Sequence, residues 1–202
     1  MANVDWVTVG AGFVGALLGG GATLLGVRWQ LSTAQKDQKD REDRHHAAIL
    51  KAVHDELETL WDQYLLGVGN DIAALPSGQP FKAYWPVSND YFTVFHSNAV
   101  FLGHLRDDDL RKSLIVAYAG AKGLIDSFRL NNAMVERFEN ADAFALQSPT
   151  PAAQHVARSH LQVLTSYAAV LKQGHVEMEV AVKDALRRLR KAGVLAQNSG
   201  KS

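Results

Sequence analysis

The sequence predicts an all-α protein: an N-terminal transmembrane helix followed by a cytoplasmic helical bundle of three long and one or two short helices. Three observations lead there. Residues 6–27 carry no charge and are bounded by Asp5 and Arg28. From Arg28 to Leu66 there is neither proline nor glycine. Further on, apolar residues recur three or four apart over two more long stretches, whereas no alternation of the strand type and no repeat appears. The expected organisation is a short tail (1–5), the membrane span (6–27), a polar stalk helix (28–48), a helical domain (49–192) and a polar tail (193–202).

Composition narrows the function classes. The chain has 202 residues, and its 21 basic and 21 acidic residues cancel. A global basic field for nucleic acid is therefore absent. With no cysteine, disulfides, thiolate metal sites, iron–sulfur clusters and cysteine nucleophiles are excluded.

The span comes first. A helix needs about 20 predominantly apolar residues to cross a bilayer, and Trp6 and Trp29 stand at the two ends, where indole rings suit the interfaces. A cleaved signal peptide would want a basic leader, and residues 1–5 contain no Lys or Arg. A retained anchor is expected. Arg28, Lys36, Lys39, Arg41 and Arg44 follow the span, so the rule that basic residues stay inside puts the N-terminus out and the rest in the cytoplasm of a bacterial inner membrane. Thr8, Gly12, Gly15, Gly19, Ala22 and Gly26 follow a 4-3-4-3-4 spacing. That stripe of small residues lets helix backbones approach closely, and it predicts a homo-oligomer formed through the membrane helix.

The stalk, residues 32–46, is polar all round, which fits a solvated rod or a coiled coil held by its neighbours. Leu50, Val53, Leu57, Leu60 and Tyr64 then form an apolar stripe. Residues 67–86 hold three glycines and three prolines with Phe81, Tyr84 and Trp85. They predict a long connection pinned down by its aromatics, with a short helix around Ile72. Ser88 or Asn89 would cap a short helix ending near Ser97. Asp107 or Asp108 would start a long one, marked by Leu110, Leu114, Tyr118, Ala121, Ile125 and Phe128 and reaching about Glu139. Ser148-Pro149-Thr150-Pro151 is a turn. The last helix runs over 152–192, with Val156, Leu161, Leu164, Ala168, Leu171, Val176, Met178, Val182, Leu186 and Leu189 as its apolar series and Gly193 as its cap.

The chemistry-bearing residues are sparse. Eight histidines occur, yet none forms the i,i+3 or i,i+4 pair that a helical metal site needs. No metal and no cofactor is expected. Arg41 and His46 fit the Arg-x4–6-His pattern of HEPN ribonucleases, in which residues of two subunits meet in one RNA-cleaving site. Lys183, Arg187, Arg188, Arg190 and Lys191 cluster at the end of the last helix. Such a cluster complements the helix dipole and would contact anionic headgroups or an acidic partner.

The segments Phe95-His96-Ser97-Asn98-Ala99, Leu102-Gly103-His104-Leu105, Tyr118, Lys122-Gly123-Leu124-Ile125-Asp126 and Leu130-Asn131-Asn132 resemble a loose group of bacterial proteins that join an N-terminal membrane helix to a small helical cytoplasmic domain. The resemblance covers about residues 1–140 and implies architecture, with no activity. A more distant analogy, carried by the layout and by Arg41 and His46, is the membrane-anchored HEPN-like accessory protein of RNA-targeting CRISPR systems. The leading expectation is a non-enzymatic, single-pass interaction or sensing module, or a membrane-perturbing effector. Its partners would be membrane lipid, further copies of itself and a cytoplasmic protein, but not nucleic acid. The alternative is a tethered HEPN-like ribonuclease or RNA-binding protein.

Overall fold

The computed structural model describes the backbone of residues 6–88 and 91–193, and the side chains of 35–88 and 91–193. Among the described residues the protein is all-α, without strands. Helix α1 is Trp6–Tyr64, and a π-helical turn, Leu65–Gly69, follows it. Three short helices come next, α2 (Asn70–Ala74), α3 (Thr93–Ser97) and α4 (Ala99–Gly103). Two long helices follow, α5 (Asp108–Gln147) and α6 (Pro151–Lys191). The chain divides into two units, residues 1–48 and 49–202.

In the first unit the side chains of residues 35–46 are exposed. Gln38 donates to Glu42 (3.0 Å), one turn on. The Arg44 guanidinium donates to the Asp40 carbonyl (3.0 Å). Among the described residues no helix is long and apolar enough to cross a membrane. The expected anchor, with Thr8, Gly12, Gly15, Gly19, Ala22 and Gly26, lies outside the described side chains.

The second unit is organised by the α5–α6 hairpin. Asp107 starts α5 by accepting a hydrogen bond from the Leu110 amide (2.9 Å). Thr150 caps α6 through the Ala153 amide (3.2 Å), with Pro151 in the first turn, where proline's missing N–H costs nothing. Gly193 ends α6 at φ +88°, a left-handed position that suits glycine. Leu110, Leu114, Ala117, Tyr118, Leu124 and Phe128 of α5 are buried with Ala168, Leu171, Met178, Val182, Ala185, Leu186 and Leu189 of α6 and with Val53, Leu57, Trp61 and Tyr64 of α1. The stretch 49–64 thus forms the third wall of one core. Beyond it the two helices of the hairpin continue in contact with each other. They are joined by a small cluster of Val135, Phe138 and Leu164 and by an alanine contact of Ala145, Ala153 and Ala157.

Several expectations change. There are three short helices where one or two were expected, because the segment following the aromatic connection breaks at Asn98 into α3 and α4. No local side chain caps α3; Glu56 of α1 does so from across the core. Helix α5 runs to Gln147, well past Glu139. Val156 and Val176 are exposed (47% and 48%), while their neighbours Ala157 and His175 are buried. The face of α6 reads Leu171, His175, Met178, Val182, an unbroken 4-3-4 series.

Candidate functional site

The connection between α2 and α3 crosses the hairpin and is fastened at several points. The Lys172 ammonium donates to the Leu75 carbonyl (2.6 Å). Asn132 grips both sides of Trp85: its Oδ1 accepts from the Trp85 amide (3.2 Å) and its Nδ2 donates to the Trp85 carbonyl (2.7 Å). The Lys82 ammonium sits 4.6 Å over the Phe138 ring. Phe81 and Trp85 meet Phe128 edge-on, at 6.2 and 4.8 Å. Phe81 and Trp85 therefore do the pinning, while Tyr84 stays exposed (68%).

Where this connection meets α1, α5 and α6 it leaves a half-open apolar cavity of about 200 Å³. Trp61, Tyr64, Trp85, Tyr91 and Phe92 supply aromatic rings, and Leu57, Leu124, Ile125, Met178 and Val182 supply aliphatic surface. Gln63 adds an amide, and among the described residues no charged side chain lines it.

His175, behind the wall, holds two of these rings. The Tyr64 hydroxyl is hydrogen-bonded to His175 Nδ1 (2.9 Å) in the core, and the Trp61 ring stacks on the same imidazole at 6.0 Å. Burial raises the Tyr64 phenol above its ordinary value. Burial also lowers the His175 imidazole, with the Glu179 charge pulling the other way. Both groups are thereby kept neutral. Gly69 permits this arrangement, because a Cβ there would stand 2.7 Å from Tyr64 Cε1.

Glu56 organises the other side. Its carboxylate accepts from the Val94 amide (2.7 Å), the Phe95 amide (3.0 Å) and the Tyr118 hydroxyl (2.9 Å). One side chain thus satisfies orphan donors at the start of α3 and a buried phenol. Burial, then the negative Glu56, raises Tyr118. Tyr118 also stacks on Phe95 at 3.8 Å and meets Phe92 edge-on at 5.2 Å. Phe92 itself adopts φ +70°, a left-handed backbone that a bulky residue takes only under constraint.

The residues singled out from sequence lie elsewhere. Arg41 and His46 are exposed side chains of the first unit. Five helical positions separate them by about 140° around the axis, so one chain does not bring them to one face. The basic cluster at the end of α6 is largely paired. Lys183 binds Glu179 (2.6 Å), Arg187 binds Asp184, Arg188 binds Asp184 (2.7 Å) and Asp109 (3.4 Å), and Arg190 binds Glu58 (2.7 Å). Lys191 is exposed. These hydrogen bonds lower Glu179 and Asp184 below the usual carboxylate range and raise Arg188. Arg190 Nε also donates to the buried His54 Nε2 (3.4 Å). A guanidinium only donates, which leaves the His54 proton on Nδ1, facing Asp55 (3.2 Å). Among the described residues no group of His, Asp and Glu could hold a metal ion.

Sequence reasoning missed Glu56, Asn132, His54 and His175. His175 was within reach, since the 4-3-4 spacing passes through it. Comparison with protein-family models, with curated proteins and with solved structures returned no match.

Proposed function

We propose that the chain is a single-pass membrane protein, anchored and self-associated through its N-terminal segment, whose helical bundle is a non-enzymatic cytoplasmic interaction or sensing module. One observation carries this reading: the uncharged run 6–27, with small residues at Thr8, Gly12, Gly15, Gly19, Ala22 and Gly26, ending at a basic flank. An uncharged run of that length matches a bilayer's hydrocarbon thickness, and a sustained small-residue stripe favours close helix packing in lipid. Orientation follows the basic residues from Arg28 onward, giving an outside N-terminus in a bacterial inner membrane. Contact of the α6 basic cluster with headgroups is a lesser part of the reading, because Glu58, Asp109, Glu179 and Asp184 already neutralise most of its charge.

The test has two arms. The full chain should stay in the pellet after alkaline carbonate washing; release into the supernatant would refute the anchor. Replacing Gly12, Gly15 and Gly19 together with Leu should reduce the detergent-extracted particle to smaller species. Unchanged mass would refute self-association through the stripe. RNA cleavage by the wild type, lost on replacing Arg41 and His46 with Ala, would instead establish the HEPN-like alternative.

A further inference from the structure

We infer that the aromatic cavity of the bundle is a binding site for a small, uncharged molecule bearing one aromatic ring. Size sets the first bound. An apolar cavity of about 150 Å³ accepts benzene, so the 200 Å³ here admits a single substituted ring and excludes a helix or an extended peptide. Lining chemistry sets the second. Trp61, Tyr64, Trp85, Tyr91 and Phe92 offer faces and edges to a ring, and aromatic pairs gain from offset and edge-on contact beyond their buried area. A charged ligand would shed its hydration with no opposite charge among the described lining residues. Glu56, next in the chain to the lining residue Leu57, spends its carboxylate on the Val94 and Phe95 amides and on Tyr118.

The walls are also built to stay open. Tyr64 and Trp61 are fixed by His175, Trp85 by Asn132, and Phe92 by an edge contact with Tyr118 on a left-handed backbone. The Tyr64 ring is held by its hydroxyl, Trp85 by its backbone, and Trp61 and Phe92 by ring contacts, which leaves these walls less free to slide inward than a loose apolar core. Such preorganisation lowers the ordering cost of binding, and a strained backbone at the wall is a recurrent mark of a ligand clamp. This inference does not depend on the membrane anchor.

The experiment uses the full chain in lipid nanodiscs and follows the side-chain indole N–H resonances of Trp61 and Trp85 by NMR. The probes are p-cresol, indole, cyclohexanol and tetramethylammonium. The inference expects saturable shifts of both resonances with p-cresol and indole, and binding weaker by about tenfold or more in Ala121→Phe, which fills the cavity. Leu60→Phe at the rim serves the same purpose if the first variant does not fold. Absence of saturable shifts overturns the inference, and so do shifts that persist undiminished in the filled variant. Preference for tetramethylammonium would overturn the uncharged class, and equal binding of cyclohexanol would overturn the aromatic one.

Discussion

Replacing Glu56 with Ala removes the acceptor of two backbone amides and a buried phenol, with the exposed Thr93 hydroxyl a longer fourth contact at 3.5 Å. The Val94 amide (2.7 Å), the Phe95 amide (3.0 Å) and the Tyr118 hydroxyl (2.9 Å) all end on that carboxylate. Hydrogen bonds to a charged group contribute about 1.5–3 kcal/mol each, and a buried donor left unpaired adds its desolvation cost. The two amides open α3, whose Thr93 is exposed, so water recovers part of their loss. Tyr118 is only 5% exposed, and the acceptor left to it is the Val53 carbonyl at a long 3.5 Å, so it recovers little. The expected cost of Glu56→Ala is therefore about 3–4 kcal/mol, against about 1–1.5 kcal/mol for Tyr118→Phe, which discards the hydroxyl together with its bond. In the Tyr118→Phe background, Glu56→Ala should cost about 1–2 kcal/mol less than it does alone, because the stranded phenol is gone. Urea unfolding of the full chain in nanodiscs, read by Trp61 and Trp85 fluorescence with Trp6 and Trp29 replaced by Phe, measures all four corners of the cycle. Hydrogen exchange should rise selectively over residues 93–103. A Glu56→Ala loss below about 1 kcal/mol, or strict additivity with Tyr118→Phe, would refute the assignment of Glu56 as the bond between α1 and α3.

Other substitutions test other parts of the packing. Gly69→Ala should cost about 1–3 kcal/mol, since its Cβ would stand 2.7 Å from a Tyr64 ring that His175 holds in place. Gly123→Ala, whose Cβ meets nothing within 4 Å in mid-helix, should instead add about 0.5–1 kcal/mol; the pair of midpoints decides it, and equal signs would contradict the geometry. Asn131 is fully buried, and its Oδ1 and Nδ2 have no partner among the described residues. Asn131→Leu should therefore raise stability by about 1–3 kcal/mol, seen as a higher Tm. His175 gives a pH dependence. Its folded pKa is lowered, mainly by burial, so the unfolded chain takes up the proton first as the solution is acidified. The stability linked to it is complete above about pH 6.5 and is lost as pH falls from there through the folded value. Melting curves between pH 8 and 5 should show a smaller acid slope for His175→Gln than for wild type, and an unchanged slope would exclude His175 as the source.

The long elements were legible because their signals are local. The stripe from Leu110 to Phe128, the turn at Ser148-Pro149-Thr150-Pro151 and the cap at Gly193 each depend on residues within a few positions, and the structure follows them. What escaped depends on distant partners. Glu56 caps a helix 38 positions further along the chain, and no motif encodes that. Asn132 reads as one more polar residue until Trp85 is placed beside it, 47 positions away in sequence. The basic run at the end of α6 looked nearly unopposed because only Asp184 lies inside it. Glu58 and Asp109 arrive from other helices. His175 and Val176 were exchanged for a different reason. Hydropathy favours valine, but the face of α6 is set by its neighbours at 171, 178 and 182, and a histidine is tolerated inside once Tyr64 supplies its hydrogen bond.

The cavity poses the same question of local cost against global fit. An empty apolar space costs on the order of 24 cal/mol per Å³, so 200 Å³ represents at most about 5 kcal/mol, less where one side meets solvent. That is comparable to the whole stability of a modest domain. A core free to relax would recover it by letting rings fall inward. Here His175 holds the Tyr64 ring, Tyr118 meets the Phe92 ring, and Asn132 fixes the backbone that carries Trp85, so the space persists. Ala121→Phe should therefore raise the Tm of the unliganded chain while removing p-cresol binding. Loss of stability in both Ala121→Phe and Leu60→Phe would mean that the walls had already closed on one another and that the space is not open in solution.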